Sequence, residues 1–458
     1  MSDISDTICR LAWDFPVLNF ARNELRYCCR TQPQTLTESD LDQGVELFNS
    51  FKPVAELRND LLRGIKNSKC RTCWRIEESH GEGPRSGLHG FAEFARENKI
   101  WPELTTLSEI KQKLLSLTDE EIDMLTKLNA SIQNIEISLG NLCDLKCIYC
   151  SHHYSSQWAA ERIKYNEITE ADIERELPRV TSTRYEDIWW QWFETVGKDA
   201  EQINFIGGEP LIIEKFYTYC NRIFDFYNMN PVRPGQHISV LSNFNTPERF
   251  YTRFINLCDR LTEVPNLKFK VGASCESIGN RAQFIRSNTD WTKMTANIDR
   301  FLSDINDKNL SDRIIFNLQI ALNALCISDL PNFFKWVVDL QRKSKIPVNL
   351  QRNQVAFPAW CSVGLLPAEF GRYIDESIDI LSDEYNHINN EDYNENGRWD
   401  YYISFLKTIK DQFENPLKDT NSQKIFAQQI DLLVSRRNLN FNDTFPEMVP
   451  FYNYCKQL

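Results

Sequence analysis

Several features are missing from this sequence. No window approaches the ~18 consecutive apolar residues of a membrane span, so no membrane insertion is expected. Residues Met1 to Asp6 carry neither a positive n-region nor an apolar h-region, so no secretory signal peptide is expected. Basic residues are outnumbered, 52 Lys and Arg against 64 Asp and Glu. The net charge of −12 argues against general nucleic-acid binding, although a local basic groove stays possible. There is no internal repeat and no long low-complexity stretch. What is present is enough chain for two or three domains: 458 residues, 42% apolar and 25% charged, the balance of a globular protein with a large core. Cysteine is plentiful. Fourteen thiols without a secretion signal point to metal or redox chemistry in a reducing, cytoplasmic compartment rather than to disulfides.

Three of those thiols stand together as Cys143, Cys147 and Cys150, a C-x3-C-x2-C spacing. Three thiolates this close can hold three corners of an iron–sulfur cube, whereas a closed cube takes four. No further cysteine follows within sixty residues, so the fourth iron would stay open for chemistry. A zinc site competes, because His152 and His153 follow at once. Context favours iron. Residues 131–138 alternate like a strand and lead straight into the cysteine loop. About fifty residues beyond Cys150, Gln202 to Ile206 reads as a second strand, ending in Gly207-Gly208-Glu209-Pro210.

The loop, the strand before it and the Gly-Gly-Glu-Pro strand end together closely resemble the radical SAM superfamily. The resemblance implies a [4Fe-4S] cluster on Cys143, Cys147 and Cys150. Its open iron would bind S-adenosylmethionine (AdoMet), and reductive cleavage would give a 5′-deoxyadenosyl radical that abstracts hydrogen from a substrate. It further implies cofactor contacts from Tyr149 inside the cysteine motif and from Gly207, Gly208, Glu209 and Pro210, with Glu209 on the methionyl amino group. Ser242 and Asn243, with Asn245 beside them, stand where the family places a polar strand end that meets the ribose. Ordinary Asn/Ser turn chemistry is an equal alternative. Ser274 and Arg286 are further cofactor candidates, although an arginine at 286 could simply bridge helices. Related enzymes often read Ser-x-Asp-Gly starting at the position of Ser274; here Glu276-Ser277 replaces Asp-Gly.

A second set of thiols lies near the N-terminus: Cys9, Cys28, Cys29, Cys70 and Cys73. The Cys70/Cys73 knuckle puts two sulfurs on one metal, and four of the five could close a cubane or a four-thiolate zinc site. The stretch from Phe48-Asn-Ser50 through Leu57-Arg58, Gly64 and Cys70-Arg-Thr-Cys73 resembles the twitch auxiliary-cluster module, a shortened SPASM domain. Gly81, Gly83, Arg85 and Ser86 are the nearest matches to its remaining pattern. The resemblance covers most of the chain and is to N-terminal-twitch radical SAM proteins. It implies an auxiliary [4Fe-4S] cluster for electron transfer or substrate anchoring. Cys28, after a short strand, is the favoured partner of Cys9, Cys70 and Cys73, with Cys29 as its rival.

Further strands are expected at 237–246 (a strand with its exit loop), 268–274, 314–323 and 347–355, alternating with helices such as 211–228. The expected fold is α/β: a partial TIM-like (β/α)6 barrel at 131–365 with an insertion at 151–200, an N-terminal twitch-like module at 1–130 and a helical extension at 366–458. The motifs all fall at strand exits, where such barrels carry their sites. The Ile188-Trp-Trp-Gln-Trp-Phe193 knot reads as a helix core more than a docking face. Asp392 to Gly397 mimics a calcium loop but has Ile403 where the bidentate Glu belongs, which favours a polar turn. Cys220, Cys258, Cys326 and Cys455 read as ordinary thiols; Cys275 and Cys361 lie near strand exits, with burial favoured over hydrogen donation or substrate binding. The resemblance thus implies a radical SAM enzyme with a reducing partner such as flavodoxin or ferredoxin. The expected substrate is a small molecule or sugar, undergoing oxidation or rearrangement. Peptide or protein modification is the alternative, disfavoured by the lack of a leader-recognition domain. A non-catalytic zinc-stabilised module is the reading from another class.

Overall fold

The computed structural model describes residues 7–80, 85–177, 182–388, 399–414 and 419–458. Gly81, Gly83 and the Asp392 to Gly397 run lie outside them. The chain is mixed α/β and divides into two compact units. One comprises Met1–Gly140, Glu170–Ile206 and Val232–Ile238; the other Asn141–Thr169, Gly207–Pro231 and Ser239–Leu458. These boundaries cut across the expected domains: the first two of the six expected strands group with the N-terminal region, and the helical C-terminus groups with the later strands.

In the first unit the strands are β1 (Pro16–Asn19), β2 (Glu24–Tyr27), β3 (Gln34–Thr35), β4 (Asn134–Ser138) and β5 (Gln202–Ile206), in the spatial order β5-β4-β1-β2-β3. β1, β4 and β5 run parallel, with Leu18 opposite Ile137 and Ile137 opposite Phe205. β1, β2 and β3 form an antiparallel meander that brings Cys28 to the end of β2. Ile135, Glu136 and Ile137 are consecutive buried residues, the run expected of a strand covered on both faces. The helix Arg184–Thr195 carries the aromatic knot and is a core element: Phe20 meets Tyr185 at 5.0 Å and Trp189 at 5.5 Å, and Phe48 stacks on Trp192 at 4.4 Å.

In the second unit β6 (His237–Ser242, whose last four residues belong here), β7 (Lys268–Ser274), β8 (Ile314–Leu322) and β9 (Val348–Gln354) lie in the order β9-β8-β7-β6. β7, β8 and β9 are parallel, with Gln319 opposite Ser274 and Phe316 opposite Val348. The intervening amphipathic helices bury aromatic rows on these strands. Phe254 stacks on Phe301 at 5.7 Å and meets Phe269 at 5.9 Å, and Phe301 meets Phe316 at 5.9 Å. Phe254 is fully buried. Phe254→Ala is therefore expected to lower the unfolding free energy of this unit by about 3–5 kcal/mol in urea titrations; a loss under about 1 kcal/mol would mean that these rings do not carry the core.

Candidate functional site

The cysteine loop sits between β4 and the helix Ser156–Lys164, and its backbone is tied down at nearly every turn. Ser156 Oγ accepts from Cys143 N at 3.2 Å and donates to Cys143 O at 3.1 Å. Ser155 Oγ donates to Leu145 O at 2.6 Å and also caps the helix by accepting from Trp158 N. Trp158 Nε1 donates to Cys147 O at 2.8 Å. Lys146–Cys147 pairs antiparallel with Arg286–Ser287, placing Cys147 opposite Arg286. Asp144 accepts from Asn243 Nδ2 at 2.7 Å and from Asn245 Nδ2 at 3.0 Å, while Asn288 Nδ2 donates to Asp144 O at 3.1 Å. The three thiols are thereby brought onto one short loop. Cys147 is buried and Cys143 and Cys150 half-buried. Burial pushes the Cys147 thiol up to about 12 and raises Cys143 and Cys150 too, so a bound cation would have to supply the charge that favours their thiolates.

Gly208 closes against this loop. It adopts φ 56°, and a Cβ there would lie 2.2 Å from Leu142 O. That close approach lets Glu209 N donate to Leu142 O at 2.8 Å. Gly207 also has a positive φ, 88°. The Glu209 side chain is buried and accepts from Asn243 N at 2.6 Å and Leu211 N at 3.2 Å, with Pro210 opening a short 3-10 turn. Burial raises its carboxyl to about 7; the Asn243 amide pulls the other way, and Asp144 adds to the rise. Ser242 Oγ accepts from Phe244 N, and Asn243 Oδ1 from Asn245 N, so this strand end is folded on itself as well as on the cysteine loop. Ser274, half-buried, ends β7.

A buried triad stands behind Cys147. Arg286 Nη1 donates to Tyr149 OH at 2.6 Å, and Tyr149 OH donates to Glu276 Oε1 at 2.9 Å; the Arg286–Glu276 ion pair spans 3.6 Å. Glu276 Oε2 and Arg286 Nε have no hydrogen-bond partner among the described residues. Buried polar atoms in that condition suit a polar ligand. Glu276, where the family pattern has another residue, is thus the partner that joins the two cofactor candidates Tyr149 and Arg286. Cys275 and Cys361 are both buried, as are Cys220, Cys258, Cys326 and Cys455.

In the first unit Cys9, Cys28, Cys70 and Cys73 line one small cleft together with Arg30, Thr31 and Arg85. Cys29 is exposed and absent from that lining. Cys28 has φ 75°, rare for a residue with a Cβ; Thr31 Oγ1 donates to Tyr27 O at 2.8 Å, and Cys28 N donates to Phe15 O at 2.8 Å, which hold it there. Arg58, almost fully buried, donates to Ala12 O at 2.8 Å and Thr126 O at 3.0 Å and so fixes the segment after Cys9. Arg85 forks onto Glu77 at 2.6 Å and packs over Trp74, and Ser86 Oγ donates to Cys9 Sγ at 3.5 Å. Four thiols on one cleft are the donor set of a closed tetrahedral zinc or cubane site.

The sequence patterns did not reveal Asp144, Ser155, Ser156, Trp158 and Arg437, and they showed Glu276 only as a departure from a pattern. Ser155 carries a signal, as the N-cap of the helix that follows the cysteines. Arg437 carries none, lying 291 residues from the Lys146 carbonyl it meets.

No family model matches the chain, and no curated protein does. Among solved structures, native anSMEcpe with bound AdoMet and Kp18Cys peptide is similar over 56% of this chain and 62% of that one, at 12% identity and TM-score 0.33. This chain therefore spans less than two thirds of anSMEcpe. Streptococcus suis SuiB bound to precursor peptide SuiA is similar over 79% and 67% respectively, at 10% identity and TM-score 0.37. SuiB bound to S-adenosylmethionine covers 81% and 68%, at 12% identity and TM-score 0.32. Likeness at such scores is too weak to carry an inference.

The close approach at Gly208 can be tested against a position that shares its backbone strain alone. Gly279 has φ 53° with nothing within 4 Å of its would-be Cβ. Gly279→Ala should cost about 1–2 kcal/mol. Gly208→Ala should cost clearly more and loosen the loop, read as a larger drop in melting temperature and faster proteolysis across 141–156. Equal effects would mean that Gly208 serves only backbone conformation.

Proposed function

We propose that the protein is a radical SAM enzyme whose Cys143, Cys147 and Cys150 hold a [4Fe-4S] cluster with one iron open to AdoMet. The observation that carries this reading is the cysteine loop itself: three thiols within eight residues, backbone fixed by Ser155, Ser156 and Trp158, closed on one side by the Gly207-Gly208-Glu209 turn. Bound there, the cluster and AdoMet would supply one-electron cleavage to a 5′-deoxyadenosyl radical. The chain's own residues bind and orient. Glu209 is suited to accept from an amino group, and Tyr149, Glu276 and Arg286 offer a buried donor and acceptor beside Cys147. Ser242, Asn243 and Ser274 are the strand-end candidates. We assign Cys9, Cys28, Cys70 and Cys73 to an auxiliary [4Fe-4S] cluster, the four-thiolate cleft being the support for it. Cys29, exposed at the surface, is the less favoured fifth thiol.

The substrate class is open between the two enzymatic readings. The expectation of a small molecule or sugar has no support in the comparisons. anSMEcpe and SuiB are each recorded with a peptide, at TM-scores that carry no argument for this chain, and peptide modification stands beside the small-molecule reading. A reducing partner of the flavodoxin or ferredoxin kind is required by the proposed chemistry.

Anaerobic reconstitution tests the assignment. Wild-type protein should take up about eight irons, and the Cys70→Ala/Cys73→Ala variant about four. That variant should still cleave AdoMet without substrate, whereas Cys143→Ala, Cys147→Ala or Cys150→Ala should each abolish 5′-deoxyadenosine formation. Stoichiometric zinc and a colourless protein would favour the non-catalytic module instead.

Glu209 gives a pH signature. Its carboxyl, raised to about 7 by burial, is largely protonated below that pH and charged above it. A carboxylate accepts from the N–H groups of an iron-bound amine more strongly than a neutral carboxyl does, so AdoMet affinity should increase as pH rises through about 7. Glu209→Gln should flatten that dependence and weaken binding about tenfold or more at high pH, the size of a lost charge-assisted hydrogen bond. A pH-independent affinity in wild type would return Glu209 to a purely structural role.

A further inference from the structure

The helix Thr420–Arg437 ends in a side chain that is 2% exposed. Arg437 Nε and Nη2 fork onto Glu161 at 3.1 and 2.9 Å. Its remaining nitrogen, Nη1, donates to Lys146 O at 2.8 Å and to Ser287 Oγ at 3.0 Å. Glu161 also pairs with Lys146. The guanidinium packs over the Trp158 ring at 4.4 Å, and that ring's Nε1 donates to Cys147 O. The carbonyls on both sides of the Cys147 amide-to-carbonyl unit, Lys146 O and Cys147 O, are thus each held by a side chain, and those two side chains stack on one another.

A buried Arg–Glu pair could do no more than dock one helix on another. The contacts argue for more: Nη1 bonds the loop rather than the helix, and it reaches both halves of the two-residue pairing that sets Cys147 opposite Arg286. Only a planar fork can serve Glu161, Lys146 O and Ser287 together; an ammonium on a flexible stem cannot.

We propose that Arg437 is a positioning residue for the cluster site, fixing the backbone around Cys147 so that its thiol is presented in the geometry a metal cluster needs. The inference rests on the reading of Cys143, Cys147 and Cys150 as cluster ligands. It gives the C-terminal helical region a part in cofactor binding that is separate from the thiols themselves. Groups that orient metal ligands typically affect metal affinity by about 10–100-fold.

The test uses the full chain after anaerobic reconstitution, comparing wild type, Arg437→Lys and Arg437→Met. Readouts are iron content, the electron paramagnetic resonance signal of the reduced protein that changes on adding AdoMet, and far-ultraviolet circular dichroism. Both variants should keep the wild-type dichroism spectrum. Arg437→Met should fall from about eight irons toward about four and lose the AdoMet-responsive signal. Arg437→Lys should keep more iron but show an altered signal, and added guanidinium should partly restore Arg437→Met. Full iron and an unchanged AdoMet-responsive signal in Arg437→Met overturn the proposal. If that variant does not fold, an unchanged signal in Arg437→Lys overturns it equally. A wild-type protein with no AdoMet-responsive signal defeats the cluster reading, and this proposal with it.

Discussion

The loop that carries Cys143, Cys147 and Cys150 satisfies only part of its own backbone, Cys150 N donating to Cys147 O, and that constraint organises the second unit. Unpaired buried amides and carbonyls are costly, so the remaining groups have to find partners elsewhere. Here the partners are Ser155, Ser156, Trp158 and Arg437 on the backbone, with Asn243 and Asn245 holding Asp144. The loop is short, yet its ties come from the following helix, from the end of β6, from residues 286–288 and from the penultimate long helix.

The same economy explains the neighbouring turn. Gly208 is needed less for flexibility than for approach, since any side chain would strike the Leu142 carbonyl that Glu209 N uses. Glu209 then turns inward onto Asn243 N, coupling the turn to the strand end that also grips Asp144. Loop, turn and strand end form one hydrogen-bonded body. Tyr149, Glu276 and Arg286 extend it behind Cys147 and leave one donor and one acceptor unspent.

Much of this was legible from sequence because local signals and global fold agree. Strands at 134–138, 202–206, 237–242, 268–274, 314–322 and 348–354 stand where alternation and apolar runs put them. The three close thiols and the Gly-Gly-Glu-Pro turn are local motifs, so spacing alone exposes them. Cys9, Cys28, Cys70 and Cys73 were harder, since only the Cys70/Cys73 knuckle is local; the strained backbone at Cys28, which singles it out from Cys29, leaves no mark in the sequence. Glu276 read as a departure from a pattern, although in the structure it is the carboxylate that joins Tyr149 to Arg286. Arg437 had no signal at all. A basic residue in the last turn of a helix ordinarily serves the helix dipole, and nothing in its neighbourhood announces a partner 291 residues away. Domain limits were the least legible, because β1 comes from the N-terminal region yet pairs in parallel with β4.

The central claim is that the Cys143–Cys147–Cys150 site holds a cluster with one iron free to chelate AdoMet. The most direct measurement is electron–nuclear double resonance on the reduced protein with AdoMet labelled by 15N at its amino group. A hyperfine coupling between that nitrogen and the cluster, lost on substituting Cys147, is the predicted result. A reduced cluster with no coupling to the labelled nitrogen would contradict the account.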